Sequence, residues 1–406
     1  MIERKEYLEQ LEFWKNKDII KVITGIRRCG KSTLLKLYQE RLISQEIMSD
    51  QIISINFEDM DFENLLDYRE LYKYIKDRMI PDKDMYIFLD EIQKVDKYEN
   101  VVDSLFIKDN IDIYITGSSS YLFSGQLTTN LRGRYIEISM LPLSFKEYYS
   151  LFNGNKNIAF QEYMKTGGFP YIHHLLNATD QIDMYIEGIY NTVLLKDIEE
   201  RLTRKEKLTT NSRVSDVALL KSISKYLASV AGSPVSIRSI ANYLISNERK
   251  VSPNTVSDYI NALCESYLYY PVELMDISGK ELLKSNKKYY IVDLGIRNYV
   301  LPKKRYDLGF SIENIVYFEL MRRGYDVYIG KGLKHTEVDF IAKKNNEYTY
   351  FQVTASMVEE STFQREMKPL ENIKDNYDKI ILTLDEYTIG NYNGIKVINV
   401  IDWLLN

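Results

Sequence analysis

The stretch Gly25-Ile26-Arg27-Arg28-Cys29-Gly30-Lys31-Ser32 sets the architecture of the first third of this chain. It fits the pattern G-x-x-x-x-G-K-[ST], in which glycines let backbone N–H groups turn inward toward phosphate oxygens. Apolar residues 19–23 precede it as a short strand, and residues 33–42 follow with the spacing of a helix, whose N-terminus favours anions. The sequence therefore predicts a phosphate-binding loop between a buried strand and a helix.

The side chains at the end of this loop indicate a nucleoside triphosphate. In such loops the lysine reaches the β- and γ-phosphates and the following hydroxyl binds Mg²⁺. Lys31 and Ser32 hold these positions, so ATP and Mg²⁺ are the expected ligands. The expected nucleotide-binding residues are Gly25, Arg27, Arg28, Cys29, Gly30, Lys31, Ser32 and Thr33.

Two acidic residues, Asp90 and Glu91, follow the apolar strand 85–89. At the carboxyl end of a parallel strand, the Asp90 carboxylate would face the phosphates and hold Mg²⁺ together with Ser32. Glu91 could polarise the attacking water. Asn56 ends another strand and could hold Glu91 when no nucleotide is bound. We therefore expect Asp90 and Glu91 to be catalytic residues of an ATPase.

Three further polar residues lie near the ends of two later strands, 111–115 and 135–138. Ser118 could contact the γ-phosphate or the attacking water, although a serine-rich turn gives the same sequence. Arg132 and Arg134 could reach the γ-phosphate of a neighbouring subunit, which would require a homo-oligomer, or they could be solvated loop residues. All three are candidate catalytic residues.

The order of the predicted elements indicates the fold class. Strands and helices alternate through residues 19–138, and the strands are almost continuously apolar, which is typical of a parallel sheet covered by helices on both faces. Residues 145–230 read as helical, residues 231–275 as short helices and a strand, and the alternation returns from about residue 285. The predicted fold is α/β, with a parallel-sheet P-loop core.

Composition and termini restrict the setting. The chain has 406 residues, is 45% hydrophobic and carries a net charge of −5, which suits several packed domains better than a uniform nucleic-acid coat. Its two cysteines, Cys29 and Cys264, cannot form a disulfide framework or a zinc site. The charged N-terminus lacks the apolar segment of a signal peptide, and no run of 18 apolar residues occurs. We expect a cytoplasmic protein without a membrane partner.

These motifs together resemble a family of bacterial and archaeal AAA+-like ATPases with a C-terminal restriction-endonuclease-like domain of unknown function. The resemblance rests on GIRRCGKST (25–33), FLDEIQKV (88–95), ITGSSSYLFSG (115–125), LRGRYIEISMLPLSFKEYY (131–149), GGFPYI (167–172) and EVDFIAKKNNEYTYFQVT (337–354). It implies an additional-strand P-loop fold with Walker A at 25–32, Walker B at Asp90-Glu91 and a sensor at Ser118 or Ser119. It also implies a winged helix before the C-terminal domain.

One segment in the middle of the chain is basic. Residues 201–260 contain ten Lys or Arg and four Asp or Glu, a net charge of +6, whereas the remaining 43 basic and 54 acidic residues give −11. A helix over 236–245 and a second helix that starts at Pro253, capped by Ser252, are typical of a helix-turn-helix, and the strand 267–272 would be its wing.

Double-stranded DNA is accordingly a predicted partner of residues 213–275, and a winged helix that contacts only proteins is the alternative. The second helix would offer polar side chains to a groove, while two basic residues before it would meet phosphates. The groove-facing residues are Asn254, Thr255, Ser257 and Asn261, and the phosphate-facing residues are Arg249 and Lys250.

The C-terminal part matches only half of a PD-(D/E)xK nuclease site. Glu313 on a helix and Asp339 on a strand fit two of its acids. Gln352 and Thr354 stand where the next strand would carry an acid and a lysine. An amide oxygen coordinates Mg²⁺ weakly and a hydroxyl cannot replace an ammonium, so we expect a catalytically degenerate domain that binds DNA or protein.

The predicted function is that of an ATP-binding and ATP-hydrolysing AAA+-like switch or motor that couples nucleotide state to DNA or protein-partner binding. Two alternatives stay open, an ATP-dependent nuclease and a STAND-type signalling scaffold that does not bind DNA. The predicted domains are a P-loop core (1–145), a helical lid (146–212), a winged helix (213–284) and a restriction-endonuclease-like domain (285–406).

Overall fold

The computed structural model describes residues 2–117, 133–152, 154–175, 179–198, 216–247, 249–302, 307–332 and 336–406. The chain divides into two compact units. Unit 1 consists of Met1–Pro142 with Glu265–Tyr267, and unit 2 consists of Leu143–Cys264 with Leu268–Asn406. None of the helices in the described ranges is both long and apolar enough to cross a lipid bilayer.

Unit 1 contains a five-stranded parallel sheet in the order β2-β3-β4-β1-β5. Its strands are β1 (Ile20–Thr24), β2 (Ile52–Asn56), β3 (Met85–Asp90), β4 (Ile111–Thr116) and β5 (Tyr135–Ser139). β4 lies between β1, which leads into the phosphate loop, and β3, which ends at Asp90. The predicted parallel P-loop sheet with an additional strand is thus confirmed.

Helices cover both faces of this sheet. They are α1 (Lys5–Trp14), α2 (Lys31–Ser44), α3 (Tyr68–Lys76) and α4 (Tyr98–Phe106). Leu71 and Ile75 are four residues apart in α3 and therefore lie on one side of the helix, where they join an aliphatic core with the strands. On the opposite face, Tyr38 of α2 packs against Tyr114, which stacks on Phe88 with ring centroids 4.7 Å apart. Successive side chains of a strand point to opposite faces of the sheet, so the same strands supply both the aliphatic and the aromatic core.

A buried ion pair lies on the aromatic face of the sheet. Lys21 of β1 pairs with Asp112 of β4, and their side chains are 0% and 4% exposed. Asp112 also accepts hydrogen bonds from the Tyr114 hydroxyl at 2.7 Å and from the Asn16 backbone N–H at 2.9 Å. Burial lowers the pKa of Lys21, although the Asp112 charge acts in the opposite direction. Each charge is therefore stabilised mainly by the other.

Unit 2 combines helices with a second sheet. Its helices are α5 (Phe145–Tyr149), α6 (Lys156–Thr166), α7 (Thr179–Thr192), α8 (Val217–Ser229), α9 (Ile237–Ser246), α10 (Pro253–Glu265, whose last residue groups with unit 1), α11 (Leu294–Val300), α12 (Leu308–Arg322), α13 (Glu360–Glu371) and α14 (Val400–Leu405). Its strands are β6 (Tyr269–Asp276), β7 (Leu282–Ile291), β8 (Asp326–Lys331), β9 (Glu337–Lys344), β10 (Glu347–Thr354), β11 (Asp378–Thr383), β12 (Gly390–Tyr392) and β13 (Ile395–Asn399).

The strand expected as a wing has a larger role than the sequence suggested. β6 pairs antiparallel with β7 and also parallel with β8, in an eight-stranded sheet of order β12-β13-β11-β10-β9-β8-β6-β7. Val235, just before α9, forms an antiparallel bridge to Lys287 of β7. β7 runs through residue 284, where a domain boundary is predicted. The β6–β7 hairpin is therefore bridged to the segment that leads into α9, and it also forms one edge of the eight-stranded sheet.

A buried carboxylate fixes the glycine-rich turn after α6. Asp293 accepts hydrogen bonds from the backbone N–H groups of Gly168 at 2.6 Å and Gly295 at 2.8 Å. Gly167 has φ +82°, and a Cβ there would lie 2.1 Å from Asp293 Oδ1. Burial raises the pKa of Asp293 from 3.8 to about 6, although these backbone hydrogen bonds act to lower it.

This raised pKa predicts that protonation of Asp293 stabilises the fold. The native state binds the proton more tightly than the unfolded chain, so the stabilisation is complete below pH 3.8 and is lost as the pH rises to about 6. The change amounts to about 3 kcal/mol at 1.36 kcal/mol per pH unit. The free energy of unfolding of the wild type, measured in urea relative to that of Asp293→Asn, should therefore fall as the pH rises from 3.8 to about 6. A difference that is constant with pH would contradict the assignment.

Candidate functional site

The phosphate loop begins where β1 meets β5. Gly25 has φ +139°, and a Cβ there would lie 2.1 Å from the carbonyl oxygen of Met140, so only glycine fits without displacing the backbone. Gly30 has φ +106° and leads directly into α2. The two glycines thus supply the backbone conformations that the loop needs at its start and at the helix N-terminus.

Lys31 lies inside the loop rather than in solvent. Its side chain is buried, and Nζ donates hydrogen bonds to the carbonyl oxygens of Gly25 at 2.9 Å and Ile26 at 3.2 Å. Because these are loop carbonyls, the ammonium is already located where phosphate oxygens would be cradled.

Asp90, Glu91 and Thr116 form a hydrogen-bonded group at the ends of β3 and β4. The Thr116 hydroxyl donates to Asp90 and accepts from the backbone N–H of Glu91 at 3.1 Å. Burial raises the pKa of Asp90, whereas hydrogen bonds from Thr116 and Ser32 act to lower it. The structure therefore brings together Ser32 and Asp90, the two predicted Mg²⁺ ligands. Thr116 was not foreseen, and its sole signal is a polar residue ending a buried strand.

Glu91 is held by a different residue from the one expected. It is buried, has φ +57°, and accepts a hydrogen bond from the Gln93 side-chain amide. Asn56 instead uses its side-chain oxygen to accept from the Glu58 backbone N–H at 2.9 Å. The expected Asn56–Glu91 contact is thus wrong, because the short Asn56 side chain caps its own turn.

The remaining predicted nucleotide-binding residues differ in exposure. Arg27 Nη1 lies 3.7 Å from Glu58 Oε1, and the exposed Arg28 has φ +67°. Cys29 is fully buried, and its carbonyl oxygen accepts from Arg4 Nη1 at 3.1 Å. Thr33 is exposed in the first turn of α2. The Cys29 side chain is therefore packed in the protein interior.

Of the other predicted catalytic residues, the structure describes only Arg134. Ser118, Ser119 and Arg132 lie outside the described residues. Arg134 forms an ion pair with Asp103 of α4, and its guanidinium lies 5.5 Å from the ring centroid of Phe106. Its predicted contact with a neighbouring subunit remains a prediction.

A buried charged cluster lies on the C-terminal sheet. Lys288 of β7 is 2% exposed, and its Nζ lies 2.8 Å from Glu337 Oε1 and 3.4 Å from Glu313 Oε1. Burial would lower the pKa of Lys288, but Glu313, Asp339 and Glu337 raise it overall. Burial and the Glu313 charge raise the pKa of Asp339. Sequence spacing did not reveal Lys288, because it reaches the cluster from an earlier strand.

The two substituted positions of this cluster have ordinary hydrogen bonds. The Gln352 amide nitrogen donates to Glu366 Oε2 at 2.9 Å, and the Thr354 hydroxyl donates to the Ser356 carbonyl oxygen at 3.1 Å. Among the residues that the structure describes, no three His, Cys, Asp or Glu side chains are grouped as metal ligands. Glu313 and Asp339 thus share the cluster with an internal ammonium.

Helices α9 and α10 present the predicted polar surface. The Ser252 hydroxyl caps α10 by accepting from the Thr255 N–H at 3.1 Å. Asn254, Asn261 and Lys250 are exposed. Arg249 instead forms an ion pair with Asp216, with Nη1 3.6 Å from Oδ2. The inward side of α10 is buried as expected, at Val256, Tyr259, Ile260 and Leu263.

Family profiles and relatives match most of the chain. The profile of an AAA domain matches residues 17–149, and that of a domain of unknown function (DUF8612) matches residues 157–307. An uncharacterised protein of Haemophilus influenzae is 39% identical, covering 100% of this chain and 99% of its own length. An uncharacterised protein of Methanocaldococcus jannaschii is 32% identical, covering 93% of this chain and 84% of its own length.

Solved structures show more distant similarity. A Walker-type ATPase of Pyrococcus abyssi is 16% identical, covers 74% of this chain and 96% of its own, and gives a TM-score of 0.44. The Orc1 protein of Aeropyrum pernix, solved in complex with DNA, is 13% identical, covers 76% of this chain and 94% of its own, and gives 0.29. TM-scores this low support neither a ligand nor a partner.

Proposed function

We propose that this chain, which belongs to the same family as the uncharacterised proteins of Haemophilus influenzae and Methanocaldococcus jannaschii and contains an AAA domain, hydrolyses ATP with Mg²⁺ and couples its nucleotide state to duplex DNA. The observation that carries the proposal is the meeting of Lys31, Ser32 and the Asp90-Glu91 pair where β1 and β3 end. These residues come from two strands and supply the cation, hydroxyl and carboxylates that phosphoryl transfer to water requires.

The residues fit Mg²⁺ by their chemistry. Mg²⁺ prefers oxygen ligands and is often bound by one or two carboxylates together with substrate phosphates. Ser32 and Asp90 present a hydroxyl and a carboxylate, and Ser32 is close enough to Asp90 to act on its pKa. When bound there, Mg²⁺ would neutralise developing charge on the phosphates. Lys31 would shift its hydrogen bonds from loop carbonyls to phosphate oxygens.

Glu91 is the residue that would orient and deprotonate the attacking water. It adjoins Asp90, and its backbone N–H is fixed by donating a hydrogen bond to the Thr116 hydroxyl oxygen. Release of its carboxylate by Gln93 would direct it to water beside the γ-phosphate. Thr116 thereby positions both acids at once.

Duplex DNA is the partner that the surface of α9 and α10 favours. The arrangement of α8, α9 and α10 followed by the β6–β7 hairpin, with Val235 bridging to β7, supports a winged helix. The exposed α10 residues Asn254 and Asn261 offer amide groups to base edges, and Lys250 offers a charge to phosphate.

Phosphate release with Mg²⁺-ATP, measured with and without duplex DNA, tests the coupling. We expect DNA to raise turnover, and Lys250→Glu to weaken DNA binding and to flatten its salt dependence. Lys374→Glu makes the same change at an exposed lysine outside residues 213–275 and should leave DNA binding intact. Turnover that ignores DNA, with no salt-dependent binding, would favour the STAND-type scaffold instead.

The buried Lys288 bears on the second candidate, an ATP-dependent nuclease. Its ammonium restores the positive charge that Thr354 lacks, but it is already paired with Glu313 and Glu337 and so offsets part of their negative charge. A divalent cation would have to displace it. We propose that the domain keeps its acids for packing and does not cleave DNA.

This predicts no cutting of supercoiled plasmid with Mg²⁺ or Mn²⁺, with or without ATP, by wild type and by Asp339→Ala alike. Agarose gels would separate supercoiled, nicked and linear forms. Nicking by wild type that disappears in both Asp339→Ala and Lys288→Met would overturn the assignment. Nicking that persists in both variants would indicate a contaminating nuclease.

A further inference from the structure

The chain crosses from one unit to the other directly after the proposed DNA-reading helix. Helix α10 belongs to unit 2 as far as Cys264, residues Glu265–Tyr267 belong to unit 1, and unit 2 resumes at Leu268. Tyr267 has φ +60°, a conformation that tyrosine rarely adopts, and the residues on either side of it, Ser266 and Leu268, are buried. The connection between α10 and β6 is therefore tightly determined.

Tyr267 reaches the strand end that enters the phosphate loop. Its hydroxyl donates to Glu137 Oε1 at 3.2 Å, and the Thr24 hydroxyl donates to the same oxygen at 2.6 Å. Burial and the Glu137 charge raise the pKa of Tyr267, so its hydroxyl stays protonated and remains a donor. Thr24 is the residue before Gly25, so three side chains tie residue 267 to the loop entrance.

The loop entrance cannot move independently of these side chains. Thr24 is paired with Ser139 in the β1–β5 ladder, and its carbonyl oxygen accepts from the Met140 N–H at 2.8 Å. Gly25 lies directly against Met140, because a Cβ on Gly25 would be only 2.1 Å from the Met140 carbonyl oxygen. A displacement of the loop by the γ-phosphate would therefore also displace Thr24, Glu137 and the Tyr267 hydroxyl.

We propose that Tyr267 is a positioning residue that transmits the state of the phosphate loop to the C-terminal end of α10. The link runs from Gly25 through Thr24 and Glu137 to Tyr267, and then two residues along the chain to the last turn of the helix. This inference rests on the proposed function, since α10 is the element expected to contact DNA. It assigns the coupling between the phosphate loop and α10 to the hydroxyl group of Tyr267.

Hydrogen exchange tests the link without DNA. Amide exchange in residues 253–264 is compared with ADP and with a non-hydrolysable ATP analogue, each with Mg²⁺. In wild type we expect exchange rates to differ by about fivefold or more between the two states, the lower end of usual coupling. In Tyr267→Phe, which keeps the ring, the difference should fall below about twofold while analogue affinity stays within about twofold. Tyr392→Phe is the matched control and should behave as wild type, because the hydroxyl that it removes donates to the Thr388 carbonyl oxygen at 3.1 Å.

Variants of Glu137 test the same link from its other side. Glu137→Ala removes the acceptor and should also abolish the nucleotide-dependent difference, whereas Glu137→Gln keeps an acceptor and should restore it. An unchanged difference in Tyr267→Phe and Glu137→Ala, or no difference in wild type that binds the analogue, would overturn the link. DNA binding is measured separately, so its failure with the exchange difference intact would count against the proposed function alone.

Discussion

Replacing Glu91 with Gln is expected to lower kcat for ATP hydrolysis by about 10²- to 10⁴-fold, the usual contribution of general-base catalysis. Gln keeps the size of the side chain and can still hydrogen-bond, but it cannot take a proton from water. The phosphate-binding groups Lys31 and Ser32 are unaltered, so the Kd for ATP should change by less than about twofold. Steady-state phosphate release and equilibrium binding of ATP would measure the two quantities.

The matched control for this substitution is Asp96→Asn, which removes one carboxylate from an exposed residue five positions along the chain. It should leave both kcat and Kd unchanged. Retention of wild-type turnover by Glu91→Gln would exclude Glu91 as the base. Loss of ATP binding together with turnover would instead indicate that Glu91 supports the loop.

Replacing Asp112 with Ala should destabilise the ATPase core by about 3–5 kcal/mol, the usual effect of breaking a buried pair. The Lys21 side chain is 0% exposed, so its ammonium would lose its counter-charge without gaining water. The Tyr114 hydroxyl and the Asn16 N–H would also lose their acceptor. Urea unfolding followed by tyrosine and tryptophan fluorescence would measure the change in free energy.

Two comparisons separate pairing from a general effect of losing an aspartate. Asp378 pairs with Lys396 at 3.1 Å, but these side chains are 61% and 47% exposed, so Asp378→Ala should cost less than about 1 kcal/mol. The double variant Lys21→Met/Asp112→Leu removes both charges and should recover most of the lost stability. Equal losses at Asp112 and Asp378 would contradict the role given to burial.

Local patterns were sufficient to predict the ATPase core. The apolar runs that became β1 to β5, the loop at Gly25–Ser32 and the acids after β3 are each encoded within a few adjacent residues. The same is true of the cap at Ser252 and the buried side of α10, which follow from turn chemistry and helical spacing.

Contacts between distant segments could not be predicted in the same way. Thr116 is 26 residues from Asp90, and Lys288 is 25 residues from Glu313, so their pairing depends on strand order rather than on spacing. The Asn56–Glu91 contact was wrong because two polar strand ends do not reveal which neighbour a short side chain reaches. Gln93 was overlooked because its position, two residues after Glu91, looks like an ordinary turn.

The double pairing of β6 has an evolutionary consequence. Recombination that exchanged residues 285–406 for another sequence would divide β7 and leave β6 without the β8 partner that pairs Leu274 with Ile329. A viable junction would have to lie before Tyr269, on the far side of the hairpin. The β6–β7 hairpin and the sheet that follows it should therefore be inherited together, as a single cassette transferred between genomes.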